Sequence, residues 1–282
     1  MTISPLPTLL IDPVVRSALS EDLGRAGDIT TDAIVPADLE ARLVLNARQA
    51  GIVAGLDCAI LAFQLIDPRI QVRVVRPDGS ALAPGDVIAE VSGPARGLLT
   101  AERVALNFLG HLSGIASATA AITAAIRPHK ARVTCTRKTI PGLRALQKYA
   151  VRVGGGANHR FGLDDAVLIK DNHIAVAGGI RPAVLRARAA VGHLVKIELE
   201  VDSLAQLDEA LTLGVDAVLL DNMGPDLLRE AVRRVEGRVI TEASGRINAE
   251  TAPAMAATGV DLLSIGWLTH SATVLDIGLD AA

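Results

Sequence analysis

The chain has 282 residues, half of them apolar and only 2% aromatic. That suffices for one large or two unequal domains with cores of Ala, Val, Leu and Ile, and it excludes a disordered chain. A formal charge of −3 and a pI near 6.1 argue against nucleic acid or a membrane surface as a partner of the whole protein.

The first ten residues, MTISPLPTLL, carry no basic segment and contain two prolines. No secretory leader is expected, and the expected location is cytoplasmic. Between Asp28 and about Leu99, LEARLVLNAR and IQVRVV alternate as strands do, while Pro77-Asp78-Gly79 and Pro84-Gly85-Asp86 supply turns. CAILAFQLI between them reads as a short helix, so this region is expected to form a small α+β domain. A long helix is expected from Thr100-Ala101-Glu102 to Arg127, where Pro128 ends it. Its longest uncharged stretch, Gly110 to Ile126, falls short of the roughly 20 apolar residues of a membrane span, so it reads as a packed internal helix. Cys58 and Cys135 lie far apart, as buried thiols of a reducing compartment would.

Beyond Pro128 the apolar runs ARVTCT, DAVLIK, LVKIELEV, DAVLLDN, VITEAS and DLLSIG alternate with helical segments, which predicts β/α architecture around a parallel sheet. Lys170, Glu200, Asp221, Ser244 and Gly266 each fall at the end of one of these strands, 30, 21, 23 and 22 residues apart. A β/α barrel brings such ends to one mouth, where barrel enzymes place their chemistry. A doubly wound open sheet, the alternative, would place its ligand at a single switch point.

Charge concentrates in the same half. Residues 130–173 carry nine Lys or Arg against three Asp, a balance of +6 that leaves −9 elsewhere. Arg137, Lys138, His159, Arg160 and Lys170 all lie near expected strand ends. Two cations about 7 Å apart repel by roughly 2–3 kcal/mol at an effective dielectric near 20, so four or five in a segment without matching carboxylates imply an anionic ligand. Arg144, Lys148 and Arg152 read instead as the exposed face of a helix over 142–153. Glu200 and Asp221 could hold Mg²⁺ or a sugar hydroxyl, or pair with Lys170 or Lys196. Ser244-Gly245 and Gly266 offer backbone N–H groups to a phosphate. Gly154-Gly155-Gly156 reads as a helix stop, the six histidines show no zinc spacing, and no G-x-S-x-G elbow is present.

At these residues the chain resembles the quinolinate phosphoribosyltransferase family. The resemblance runs through EDLGRAGDITTDAIVP, PGDVIAEVSGPARGLLTAERVALNFLGHLSGIA, TRKTIPGLRALQKYAVRVGGGANHRFGLDDAVLIKDNHI, VDAVLLDNM and LTHSATVLDIGLD. It implies an N-terminal α/β sandwich domain over residues 1–115 and an irregular, open seven-stranded α/β barrel over 116–270, the type II phosphoribosyltransferase architecture. Residues 271–282 would return to the first domain. Only six barrel strands are legible.

The resemblance further implies transfer of phosphoribose from phosphoribosyl pyrophosphate to quinolinate with loss of CO₂. Arg103, Arg137, Lys138, His159, Arg160 and Lys170 would bind quinolinate, Arg103 from a neighbouring subunit, hence at least a dimer. Glu200 and Asp221 would face the ribose and Mg²⁺, while Ser244, Gly245 and Gly266 would hold the 5′-phosphate. Lys138, Lys170, Glu200 and Asp221 would form the catalytic set. Arg246 and Trp267 depart from the residues expected beside the phosphate loop. A Schiff-base aldolase using Lys170, the molybdenum-transport-associated relatives, and a non-catalytic anion-binding module are the competing readings.

Overall fold

The computed structural model describes residues 3–281; Met1, Thr2 and Ala282, at the ends of the segments considered above, lie outside it. Two compact units are present: Met1–Ala120 with Thr139–Gly155 and Leu268–Ala282, and Ala121–Lys138 with Gly156–Trp267.

The elements up to the long helix are α1 (Thr8–Leu23), α2 (Ile29–Ile34), β1 (Glu40–Ala47), β2 (Gly51–Ile52), α3 (Leu56–Ile66), β3 (Gln71–Val74), β4 (Ala81–Leu82), β5 (Val87–Pro94) and α4 (Ala95–Ala125). Those that follow are β6 (Arg132–Thr134), α5 (Arg144–Val153), β7 (Val167–Ile169), α6 (Asp171–Ala177), α7 (Ile180–Ala190), β8 (Ile197–Val201), α8 (Leu204–Leu211), β9 (Ala217–Asp221), α9 (Pro225–Val235), β10 (Ile240–Ser244), α10 (Ala252–Ala256), β11 (Leu262–Ser264), α11 (Trp267–His270) and β12 (Ile277–Ala281).

The first unit is an α/β sandwich built on an antiparallel sheet of order β12-β1-β5-β3. Leu45, Ile88, Ala89 and Val91 from its strands and Phe63, Leu98, Leu109 and Leu112 from helices are buried. With so few aromatic rings, close backbone approach supplies much of the packing. On α4, Gly110 and Gly114 lie one turn apart, and a Cβ on Gly114 would sit 2.1 Å from the carbonyl oxygen of Thr273. Leu275 donates its N–H to the Gly110 carbonyl at 3.0 Å. Gly114→Ala is therefore expected to cost about 2–3 kcal/mol by overpacking against backbone that cannot yield, read as a lower urea midpoint with an unchanged m-value.

The long helix starts at Ala95, earlier than the expected Thr100, because Pro94 closes β5 immediately before it. Thr100 lies inside the helix, and its hydroxyl donates to Asp28 at 3.1 Å. By length and composition α4 could cross a membrane, more readily than the stretch 110–126 suggested; more than half of its most apolar window is buried in the protein.

The second unit carries the parallel sheet, in the order β6-β11-β10-β9-β8-β7. From β7 to β11 each strand pairs with its chain successor, and the last then pairs with the first, β6. That cyclic order is a barrel's; a doubly wound sheet reverses direction at its switch point. The strand that the sequence did not show is reduced to one parallel bridge between Thr134 and Ala157. Ala157 donates to Val133 at 2.7 Å and accepts from Cys135 at 3.3 Å. A single bridge has no period to recognise.

Candidate active site

Because the sheet is parallel, the C-terminal ends of its strands share one edge. Lys170 immediately follows β7, Glu200 lies in the last turn of pleat of β8, Asp221 ends β9, Ser244 ends β10, and Gly266 comes two residues after β11. Arg137 and Lys138 follow β6, and His159 and Arg160 follow the Ala157 bridge.

The cations are less isolated than their own segment suggests. Lys170 Nζ lies 3.1 Å from Glu200, the ion pair weighed above for these two residues. Arg160 is half-buried and donates to the Ala166 carbonyl at 3.0 Å. Burial first, and then the neighbouring charge of Arg137, pushes the Arg160 guanidinium below its ordinary range, while Asp165 and Glu198 partly offset this. Two guanidiniums are thus held together in a partly desolvated place, which a dianion would relieve. Lys138 is exposed, and its stem runs over Gly266: a Cβ there would approach the Lys138 Cδ to 2.9 Å.

Two inward carboxylates escaped sequence reasoning. Glu198 and Glu242 lie two residues before Glu200 and Ser244 on β8 and β10, and the period of a strand puts each pair on one face. His159 Nε2 is 2.9 Å from Glu198 and 3.6 Å from Glu242. Ligand-capable atoms of these three side chains lie within 4.8 Å of one another, a grouping that histidine spacing could not reveal. The backbone N–H of Arg160 donates to His159 Nδ1 at 2.7 Å. With Nδ1 accepting from that N–H, the ring proton sits on Nε2 and faces Glu198.

Glu242 is 1% exposed, and burial, then the charge of Glu198, pushes its carboxyl up to about 7. A carboxyl raised on folding favours the native state most at low pH, and that contribution is lost as pH rises from the unfolded value near 4.5 through about 7. Glu242→Gln stays neutral throughout. Its stability relative to the parent is therefore expected to improve by on the order of 2 kcal/mol between pH 5 and 8, measured by urea unfolding at both values.

The loops after β9 and β10 interlock. Gly245 has φ +107°, and Asn222 and Arg246 hold left-handed backbones at φ +54° and +51°. That conformation suits Gly or Asn better than Arg246, which it costs about 1 kcal/mol. Trp267 turns its indole N–H to the Ile247 carbonyl at 3.0 Å and so braces this loop. A cleft of about 380 Å³ is lined by Asn222, Met223, Gly224, Gly245, Arg246 and Met255.

Lys148 contradicts the reading of α5 as a solvated face: it is 1% exposed, whereas Arg152 is exposed and Arg144 bonds to the Thr139 hydroxyl at 3.1 Å. The helix is embedded on most sides. Its buried Gln147 lies 2.9 Å from His111 Nε2 and accepts from the Ile140 N–H at 3.0 Å. Burial also lowers His111. Arg103, on α4 of the first unit, is exposed beside Glu102 at 3.9 Å.

The family model described as the quinolinate phosphoribosyl transferase N-terminal domain matches residues 28–113, and the corresponding C-terminal domain matches 115–280. The chain is 48% identical over 273 residues to the carboxylating nicotinate-nucleotide pyrophosphorylase of Mycobacterium leprae, covering 94% of this chain and 95% of that one. It is 46% identical over 261 residues to the probable enzyme of that name from Bacillus subtilis, covering 92% and 89%. The crystal structure of NadC from Streptococcus pyogenes superposes with a TM-score of 0.95 at 43% identity over 98% of both chains. With both domain models matched in order and relatives of this identity along nearly its whole length, the chain belongs to the quinolinate phosphoribosyltransferase family.

Proposed function

We infer that the chain is a carboxylating nicotinate-nucleotide pyrophosphorylase: it transfers phosphoribose from phosphoribosyl pyrophosphate to quinolinate and releases pyrophosphate and CO₂, giving nicotinate mononucleotide for NAD biosynthesis. The observation in the site that carries this reading is the pairing of Arg137 with a partly buried Arg160, at the sheet edge that also bears Glu200 and Asp221. Such a site suits an acidic acceptor beside a sugar phosphate.

In this reading Arg137, Lys138, His159, Arg160 and Lys170 form the quinolinate pocket. Cations orient the two carboxylates so that the ring nitrogen faces the anomeric carbon, which converts much of the entropic cost of encounter into binding. Glu200 and Asp221 face the ribose, where their charge favours an oxocarbenium-like transition state. Lys138 is the exposed cation beside Gly266 and suits the departing pyrophosphate. After transfer, the ring nitrogen is positive, and it stabilises the negative charge left on the adjacent carbon when the 2-carboxylate departs as CO₂, until that carbon takes a proton from solvent.

Glu200 and Asp221 supply only carboxylate oxygens, the donors that Mg²⁺ takes one or two of while phosphates and water complete its octahedron. Bound there, Mg²⁺ would neutralise charge on the leaving group. Ser244, Gly245 and Gly266, half-buried at the ends of the neighbouring strands β10 and β11, suit the 5′-phosphate.

The working unit is at least a dimer, with Arg103 reaching the neighbouring site. Supporting this, Leu9, Ile29 and Ile34 of the first unit leave large apolar side chains 86%, 69% and 74% exposed, a burden that a second copy would cover. A cytoplasmic location accords with the buried thiols of Cys58 and Cys135. No nucleic-acid or membrane partner belongs to this reading.

The test is incubation of the native protein with quinolinate, phosphoribosyl pyrophosphate and Mg²⁺, with nicotinate mononucleotide followed by mass spectrometry and CO₂ by a 2-carboxyl label. Both products are expected to appear in equal amounts. Their absence from a folded oligomer would transfer the site to another anionic acceptor.

A further inference from the structure

Glu198 and Glu242 have no part in the reaction as described, yet they occupy the interior of the sheet on strands whose later residues face the substrates. The side chains of His159, Glu198 and Glu242 are 11%, 13% and 2% exposed. Buried carboxylates are costly, and they persist where they orient something.

The hydrogen-bond directions say what is oriented. The Arg160 backbone N–H can only donate, so His159 Nδ1 must accept at 2.7 Å. The ring proton is left on Nε2, 2.9 Å from Glu198 Oε2. Glu242 closes the space behind, its Oε1 3.6 Å from the same nitrogen and without a hydrogen bond of its own. A doubly protonated ring would set an N–H against the Arg160 N–H, and a ring with its proton on Nδ1 would do the same. Further along this loop, Asp165 accepts from the N–H groups of Phe161 at 2.6 Å and Gly162 at 2.9 Å. The backbone on both sides of the Arg160 side chain is thereby pinned.

We propose that Glu198, backed by Glu242, is a positioning residue that accepts the Nε2 proton of His159, so that the ring, kept from a second proton by the Arg160 N–H at Nδ1, clasps the Arg160 backbone and sets that guanidinium for the substrate's carboxylate. This rests on the reading of Arg160 as a quinolinate ligand. His159 in this arrangement acts through its neighbour and not as a charge.

Two measurements on the full-length protein test it. In ¹⁵N-histidine-labelled protein at pH 7, the His159 ring, assigned by its loss in His159→Asn, is expected to be neutral with the proton on Nε2. A protonated ring, or a proton on Nδ1, would overturn the proposal. In steady-state kinetics, Glu198→Ala is expected to raise the KM for quinolinate about tenfold or more and to leave that for phosphoribosyl pyrophosphate within about twofold. Glu198→Gln keeps an oxygen that accepts the Nε2 proton, and it should recover most of the loss. Equal rises for both substrates, or a glutamine variant as poor as the alanine one, would sink it. Should the alanine variant not fold, the ring measurement and the glutamine variant still decide. Native protein that makes no nicotinate mononucleotide would remove the functional reading, and the ring tautomer would still decide whether Glu198 orients Arg160.

Discussion

Arg160→Ala is expected to lower kcat/KM for quinolinate by about 10³-fold, because truncating one partner of a desolvated charge pair costs roughly 2–5 kcal/mol, at 1.4 kcal/mol per tenfold. Stability should tell the opposite story. In the unliganded protein burial and Arg137 oppose the Arg160 guanidinium, while Asp165, Glu198 and a bond to the Ala166 carbonyl favour it, so the gains and losses on its removal largely offset. The thermal midpoint should therefore stay within about 2 °C of the parent. Arg160→Lys should restore little, since a single ammonium cannot grip a carboxylate with two parallel bonds. Rates at saturating phosphoribosyl pyrophosphate, with a thermal melt of each variant, read both quantities. A native kcat/KM in Arg160→Ala would remove this residue from the pocket. A fall in activity matched by a fall in the melting point would make it structural.

What could be read from the sequence was what has a period or a motif. The strand-end positions of Lys170, Glu200, Asp221, Ser244 and Gly266 followed from β/α alternation, and the parallel sheet bears them along one edge. The Ala157 strand could not be read, being one bridge long. Glu198 and Glu242 have no motif, although their spacing of two from Glu200 and Ser244 would have placed them on the inward face once β8 and β10 were trusted. Counting charge within residues 130–173 missed them for the same reason: partners of a barrel residue come from other strands, distant in the chain. Lys148 shows the limit of helical patterning. A helix embedded on most sides has no solvated face for its lysine, and only tertiary packing decides that. The left-handed backbone of Arg246 is a property of the loop's geometry, which composition alone does not show.

The phosphate loop offers the second large effect, since it depends on a glycine that can be neither strained nor enlarged. At Gly245 the φ of +107° is open to glycine and costly for other residues, at about 1–3 kcal/mol. An added Cβ would lie 2.3 Å from Asn222 Oδ1 and 3.0 Å from its Cα. Asn222 cannot simply swing away: its backbone is left-handed, its N–H donates to the Ser244 carbonyl at 2.9 Å, and its amide donates to the Asp221 carboxylate. Displacing it moves the loop after β10 and the carboxylate that ends β9 together. Misplacement by about 1 Å commonly costs about 10²-fold in rate. Gly245→Ala is accordingly expected to lower kcat/KM for phosphoribosyl pyrophosphate by roughly 10²- to 10³-fold while changing the KM for quinolinate by less than about threefold. Gly192→Ala is the control, because a Cβ there meets nothing within 4 Å. A Gly245→Ala protein with the native KM for phosphoribosyl pyrophosphate would mean that the loop after β10 does not hold the phosphate. Equal losses for both substrates would mean that the whole sheet edge is disturbed, and not the phosphate loop in particular.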